Sequence, residues 1–355
     1  MIRHSNRSFL AGLALALSLG AMPAASGQAV TDSEDDTPTV RATLDVAPCG
    51  SDDEASAEQA LAACNVVIKS DATTRADRVR ALLTRAELHR RADDPDQAFQ
   101  DCSWAATLDP DNAGIYVVRG NALVDLKKFE YALDEFDRAI KLDPKLAQAF
   151  ADRAATFGRM RNPRLAVRDY TEAVRLEPTR RDFRVDRAGA FIRVRRIDLA
   201  LDDITEAIRL DPGAADLYDK RGRLYARNNA YERAIADYDA AIQLEPNARF
   251  FADRGNANNL KGDWDRAIAD YDVSLRRDPD VAMTYNNRGV AWRDKGDRVR
   301  ALADFDAALR IDPTLSIAIE HRKTMLAATV HAQAAPGPAR PAGDPASKAP
   351  LPVAR

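Results

Sequence analysis

The chain has 355 residues, 46% of them hydrophobic and 30% charged, with a formal net charge of −3. Charges this nearly balanced give no positive field to hold a phosphate backbone, which argues against nucleic acid as a partner. Its four histidines and three cysteines are dispersed without zinc spacing, and no glycine-rich phosphate loop is present, so neither enzymatic activity nor a cofactor is expected.

Residues 1–29 read as an export signal. Arg3 and Arg7 precede an apolar run, Phe9–Met22, and small residues follow at Ala24-Ala25-Ser26. Cleavage is expected near residues 26–29. An uncleaved membrane anchor is the competing reading, but the run falls short of the roughly twenty residues a span needs. No cysteine follows it to carry a lipid. Loss of this segment removes two positive charges and takes the net charge from −3 to about −5. The acidity is local: Val30–Ala60 carries nine acids against Arg41 alone. Residues 30–48 are expected to be an acidic disordered segment.

Residues 49–78 read as a short helical unit. In an exported chain Cys49 and Cys64 are expected to form a disulfide, leaving Cys102 free, and closing that loop stabilises by about 3 kcal/mol in the chain-entropy model. Three reduced, buried thiols are the alternative.

From residue 79 a repeat takes over. An acid-Pro dipeptide ends at Pro110, Pro144, Pro178, Pro212, Pro246, Pro279 and Pro313, at spacings of 34, 34, 34, 34, 33 and 34. Within each unit apolar residues recur at i, i+3/i+4 and i+7, twice, around a polar turn such as Asn228-Asn229. That pattern predicts an amphipathic helix, a turn and a second amphipathic helix, stopped by the proline. Asp94-Pro95 and Asn162-Pro163 read as a cap and first-turn proline of second helices. The short spacing before Pro279 places the missing residue at the junction near Asn247–Phe250, with an altered angle expected there.

These residues resemble the tetratricopeptide repeat family. Counting back from each proline, position 8 is Ala86, Gly120, Ala154, Ala188, Gly222, Gly255 and Gly289. Position 20 is alanine in all seven units, from Ala98 to Ala301. Position 24 is Cys102, Phe136, Tyr170, Ile204, Tyr238, Tyr271 and Phe305. Small residues let the two helices approach and the position-24 residue fills the remaining gap. The resemblance implies an all-α, right-handed superhelical solenoid of seven helix-turn-helix repeats: 79–112, 113–146, 147–180, 181–214, 215–248, 249–281 and 282–315. Ala60, Cys64 and Val67 match a second helix. Residues 316–330 match a first helix in which Lys323 takes the small position, as a terminal cap requires. The Pro/Ala-rich stretch 331–355 is expected to be a disordered tail.

Position 7 is Arg in every unit, and sixteen residues later comes an acid: Arg85 with Asp101, Arg119 with Glu135, Arg153 with Asp169, Arg187 with Asp203, Arg221 with Asp237, Arg254 with Asp270 and Arg288 with Asp304. Recurrence in every unit marks these as structural ion pairs, within or between hairpins, in place of a catalytic pair. In the family, first helices line a concave groove. Carried over, the peptide-binding candidates are Arg90, Arg91, Asn121, Arg159, Arg193, Arg223, Arg227, Asn256, Asn259, Asn286 and Arg293, with Glu87, Asp125, Asp219 and Asp294 among them. Arg supplies charge and Asn paired donors and acceptors for a backbone. A carboxylate clamp of the family's chaperone-binding type fits poorly: Asn256 and Asn287 are present, but its lysine position is Ala252. The aromatics at position 17 (Phe129, Tyr231, Trp264) read as packing.

The sequence therefore predicts a non-catalytic scaffold or adaptor of the bacterial cell envelope, periplasmic or secreted, binding a protein or peptide. Neither metal nor nucleic acid is expected, nor a stable membrane span after signal cleavage. The competing readings are an accessory subunit of an envelope enzyme or secretion complex, and a self-assembling structural solenoid.

Overall fold

The computed structural model describes Cys49 and residues 57–334, with side chains through residue 327. The expected signal peptide, the acidic segment at 30–48 and the tail from residue 335 lie outside the described residues. Among the described residues are sixteen α-helices and no strand, forming an all-α repeat solenoid. α1 (Ala57–Lys69) opens it. First helices of the repeats are α2 (Arg75–Arg91), α4 (Ala113–Asp125), α6 (Ala147–Arg159), α8 (Arg181–Arg193), α10 (Ala215–Arg227), α12 (Ala248–Lys261) and α14 (Ala282–Asp294). Second helices are α3 (Pro95–Leu108), α5 (Phe129–Leu142), α7 (Pro163–Leu176), α9 (Ile197–Leu210), α11 (Tyr231–Leu244), α13 (Trp264–Arg277) and α15 (Arg298–Ile311); α16 (Ser316–Ala334) closes the array.

Local chemistry sets the helix ends. Asp94, Asn162, Asp263 and Asp297 each accept a backbone N–H three residues on, capping α3, α7, α13 and α15. Every second helix stops two residues before its proline. The acid between is pushed to extended backbone, with ψ from 77° to 104°, because proline disfavours helix in the residue preceding it. The turn inside each hairpin uses one left-handed residue at position 15. It is Gly262 and Gly296 in the last two repeats, but Asp93, Lys127, Arg161, Arg195 and Asn229, with φ near +60°, in the first five.

The close approach of the paired helices explains the small residues. At Gly120, Gly222, Gly255 and Gly289 an added Cβ would stand 2.6–2.8 Å from the ring of Phe136, Tyr238, Tyr271 or Phe305. Those rings are buried to 2% exposure or less. Where position 24 is smaller, at Cys102 and Ile204, position 8 is alanine, at Ala86 and Ala188, although the third repeat packs Ala154 in one cluster with Tyr170. Alanines at positions 20 and 27 are buried throughout, with Ser274 the one exception in kind.

Four details differ from the sequence expectation. α2 starts at Arg75, one turn before residue 79, because Thr74 caps it by accepting from the Asp77 N–H. α16 runs to Ala334, past residue 330. The missing residue does lie in the turn at 245–247, between α11 and α12, but the packing there is intact. The irregular junction is one repeat earlier. Each successive pair of first helices is in backbone contact except α8 and α10. At two other junctions position 9 and position 6 of the next first helix are hydrogen-bonded, Asn121 donating to Asp152 and Asn287 to Asn256. At α8 and α10 these positions are Gly189 and Lys220, and Lys220 bonds Asp216 on its own helix.

Cys49 and Cys64 form a disulfide, and Cys102 is a free, buried thiol that burial pushes up to about 12, out of the reactive range. Two outcomes follow. Gly222→Ala should destabilise by about 1–3 kcal/mol by driving Tyr238 from its seat, whereas Gly189→Ala, with nothing within 4 Å, should be neutral or stabilise by up to about 1 kcal/mol; denaturant titration measures both. Reduction of the disulfide should cost about 3 kcal/mol, read as selective protease sensitivity of α1.

Candidate interaction surface

Arginine at position 7 ties each repeat together. Arg221 donates through Nε and Nη2 to both carboxylate oxygens of Asp237, at 2.9 and 2.7 Å. The same two-pronged pairing joins Arg85 to Asp101, Arg153 to Asp169, Arg187 to Asp203, Arg254 to Asp270 and Arg288 to Asp304. Arg119 reaches both oxygens of Glu135 through Nη2 alone, and its Nε is left buried without a partner.

The acids of these pairs lie deeper than a seam position suggests. Asp169 is buried at 1% exposure and Asp203 at 3%, with Asp101, Asp237, Asp270 and Asp304 at 4–6%. Asp169 and Asp203 also depart from the expected one-to-one pairing, because each meets a second arginine. Arg168 donates to Asp169 Oδ1 at 3.1 Å, and Arg184 stands 3.8 Å from Asp203 Oδ1. The physical reason is the cost of a buried carboxylate, which a second cation nearby reduces. These aspartates are therefore parts of the core, closed to any ligand.

In five repeats the remaining arm, Nη1, reaches back to the preceding second helix. There it finds Asn65, Asp137, Thr205, Asp239 or Asp272. Those pairs are both within a hairpin and between hairpins. The guanidinium of Arg119, Arg153, Arg221, Arg254 and Arg288 also lies 5.1–5.8 Å from the ring at position 4. Hydrogen bonding to Asp237, Asp270 and Asp304 holds Arg221, Arg254 and Arg288 above their ordinary pKa. Such saturated groups have no capacity left for a ligand.

The expected groove residues divide into two sets. Arg90 is bound to Asp125 and Glu87, Asn121 to Asp152, and Arg293 to Asp294. Asn286 is buried at 1% exposure and hydrogen-bonds His321, so it presents nothing outward. Asn256 accepts from Tyr271 and Asn287, and Asn259 is half-buried with an unpartnered Oδ1. Against these, Arg159, Arg193, Arg223 and Arg227 stay exposed on α6, α8 and α10. Arg193 donates to the carbonyl of Gly158, and Arg223 lies 3.7 Å from Asp219. Arg91, on α2, is also exposed.

Sequence reasoning missed the seam role of position 6, having weighed only Asn287 there, as a clamp residue. Asp152, Asp186, Asp253, Asn287 and His321 line the seam between first helices. The signal was available: a polar residue at position 9 is followed about thirty-one residues later by a polar partner, Asp152 after Asn121 and Asn287 after Asn256. All three of these aspartates are unusual acids, and burial pushes Asp152 up although Asn121 and Gln148 donate to it. Burial, then the charges of Asp182 and Asp152, push Asp186 up to about 7. Asp253 is pushed up to about 7 by burial and by Asp219 beside it. Asp219 itself, expected to face the groove, is fully buried. Among the described residues no group of histidine, cysteine and carboxylate side chains is placed to hold a metal, and no helix is long and apolar enough to cross a membrane.

A family model described as tetratricopeptide repeat matches residues 83–147, 151–215, 187–249, 220–282 and 261–316, well over half the chain. No curated protein sequence matches it. Among solved structures, the C-terminal part of a TPR repeat-containing protein from Cytophaga hutchinsonii has a TM-score of 0.56 at 18% identity, over 66% of this chain and 97% of that one. A tetratricopeptide repeat protein from Parabacteroides merdae has a TM-score of 0.50 at 17% identity, over 70% and 98%. The hetero-tetramer Cut9-Hcn1 of APC/C gives 0.51 at 17% identity over 76% of this chain, which spans about half (52%) of the chain it matches. These likenesses concern the fold.

A double-mutant cycle on Arg221 and Asp237 measures the pairing. Asp237→Ala alone should cost about 3 kcal/mol, since it strands a guanidinium with only 19% exposure, and the coupling energy should exceed about 1 kcal/mol. A coupling indistinguishable from zero would show the pair to be incidental.

Proposed function

The chain belongs to the tetratricopeptide repeat family, and from that premise we propose that it is a non-catalytic adaptor of the bacterial cell envelope that holds an acidic or C-terminal peptide segment of a partner protein along the inner faces of α6, α8 and α10. Family membership supports a protein-interaction scaffold. The observation that carries the finer reading is the row Arg159, Arg193, Arg223 and Arg227, exposed where the position-7 arginines are all committed to carboxylates. Arginine at these positions offers two-pronged recognition of carboxylates at little desolvation cost. The row lies beside the one junction of the described array where the backbones of successive first helices stand apart. The envelope setting rests on the signal-like residues 1–29, and the disulfide is compatible with an oxidising compartment.

Self-assembly is the second reading. It is favoured by Ile319 and Leu326, 44% and 41% exposed around Leu309 on the last helix pair. Capture from envelope extract by the wild-type chain and by a variant with Arg159, Arg193, Arg223 and Arg227 changed to Glu tests the first. The variant should lose the captured partner by at least about tenfold, and unchanged capture would move the binding face elsewhere. Light scattering that shows the wild type growing with concentration would favour the second.

A further inference from the structure

Two carboxylate oxygens in the solenoid have no hydrogen-bond donor although both are buried: Asp219 Oδ1 on α10 and Asp253 Oδ2 on α12. Unpartnered buried oxygens are rare, because each forfeits its hydration without return. The two side chains lie within hydrogen-bonding reach of each other. Two ionised carboxylates cannot bond each other. One proton placed between them satisfies both orphans at once, as in a shared-proton acid pair.

The surroundings permit this. The charged groups around the pair are Arg249 on α12, which donates to Asp219 Oδ2 at 3.0 Å, and Arg223 on α10, 3.7 Å from that same oxygen. Both contacts are made to Asp219, so the proton is placed on Asp253. Second helices contribute Tyr238 on α11 and Tyr271 on α13, each buried and held in its neutral form. α14 meets α12 through Asn287 and Asn256, which do not titrate.

We propose that Asp219 and Asp253 share a single proton that clamps α10 to α12, and that loss of this proton loosens α10. On its other side α10 has no backbone contact with α8, so its inner-face hold is this clamp together with the Arg249–Asp219 ion pair. When the proton leaves to water the pair becomes two facing carboxylates that repel. Burial is the main reason that Asp253 releases its proton only at about 7, above the ordinary aspartate value. The sign follows: an acid whose pKa rises on folding stabilises the folded state most below its unfolded value, and that stability is lost as pH climbs through the folded value. The clamp does not depend on what the groove holds.

The test uses the full chain. Hydrogen exchange of α10 and α12 amides, corrected for intrinsic rates and referred to α4, should speed up about tenfold or more between pH 6 and pH 8.5. In Asp253→Asn, whose amide donates to Asp219 without titrating, the change should vanish. Flat exchange in the wild type, or the same rise in Asp253→Asn, overturns the clamp. Carbon-13 titration of aspartate carboxyls in the double variant Asp152→Asn/Asp186→Asn removes the other two raised seam acids and reads the pair without disturbing it. One carboxyl should still titrate near pH 7, and none above about pH 5 also overturns it, whether or not Asp253→Asn folds.

Discussion

Each repeat depends on one arginine, and at its fullest that residue meets three helices. Arg221 sits on α10, grips Asp237 on α11 with two arms and reaches Thr205 on α9 with the third. Its Asp partner is too deeply buried to stand alone as an ion, and the guanidinium is too well bonded to move. Hairpin formation and stacking are thereby coupled. The second helix cannot leave without stranding the arginine, and the preceding repeat contributes part of what holds it. Apolar burial supplies the bulk of the stability of such arrays, but it is non-directional. The three-way arginine fixes register.

Much of this was legible in the sequence, for a physical reason. Residues that do the same job in every repeat recur at a fixed interval, so the prolines, the position-8 and position-20 small residues and the Arg-acid pairs announce themselves. The reciprocal fit of Gly222 to Tyr238, against Ala188 to Ile204, could be anticipated from volume alone. What could not be read is whatever breaks the period. Thr74 starts α2 a turn early, and Gly189 opposite Lys220 removes a link that neighbouring repeats possess. The second arginines beside Asp169 and Asp203 belong to single repeats, so no interval points to them. Asn286 and Asp219 looked like groove residues by register but turn inward, because first helices also pack on one another and that seam takes up part of the inner face.

The candidate surface is thus defined by subtraction. Ladder arginines are saturated, seam residues such as Asn121, Asp152, Asn256 and Asn287 are consumed by their neighbours, and the exposed guanidiniums of α6, α8 and α10 remain. Among first helices α8 is the unusual one. It carries Arg184 where five other first helices have an aromatic at position 4, and that arginine donates to the Pro178 carbonyl, a role Tyr116 and Tyr218 fill with a hydroxyl at Pro110 and Pro212.

The gap between α8 and α10 also gives the array a mechanical character. A solenoid behaves as a spring whose stiffness is set by its turn-to-turn contacts, and turns connected in series yield first at the softest one. With α9 and α10 still packed across that junction, the outer seam acts as a hinge and the inner seam as the free edge. Tension on the two ends should open that junction before its neighbours. A partner seated across α8 and α10 would bridge the soft turn and stiffen the whole spring.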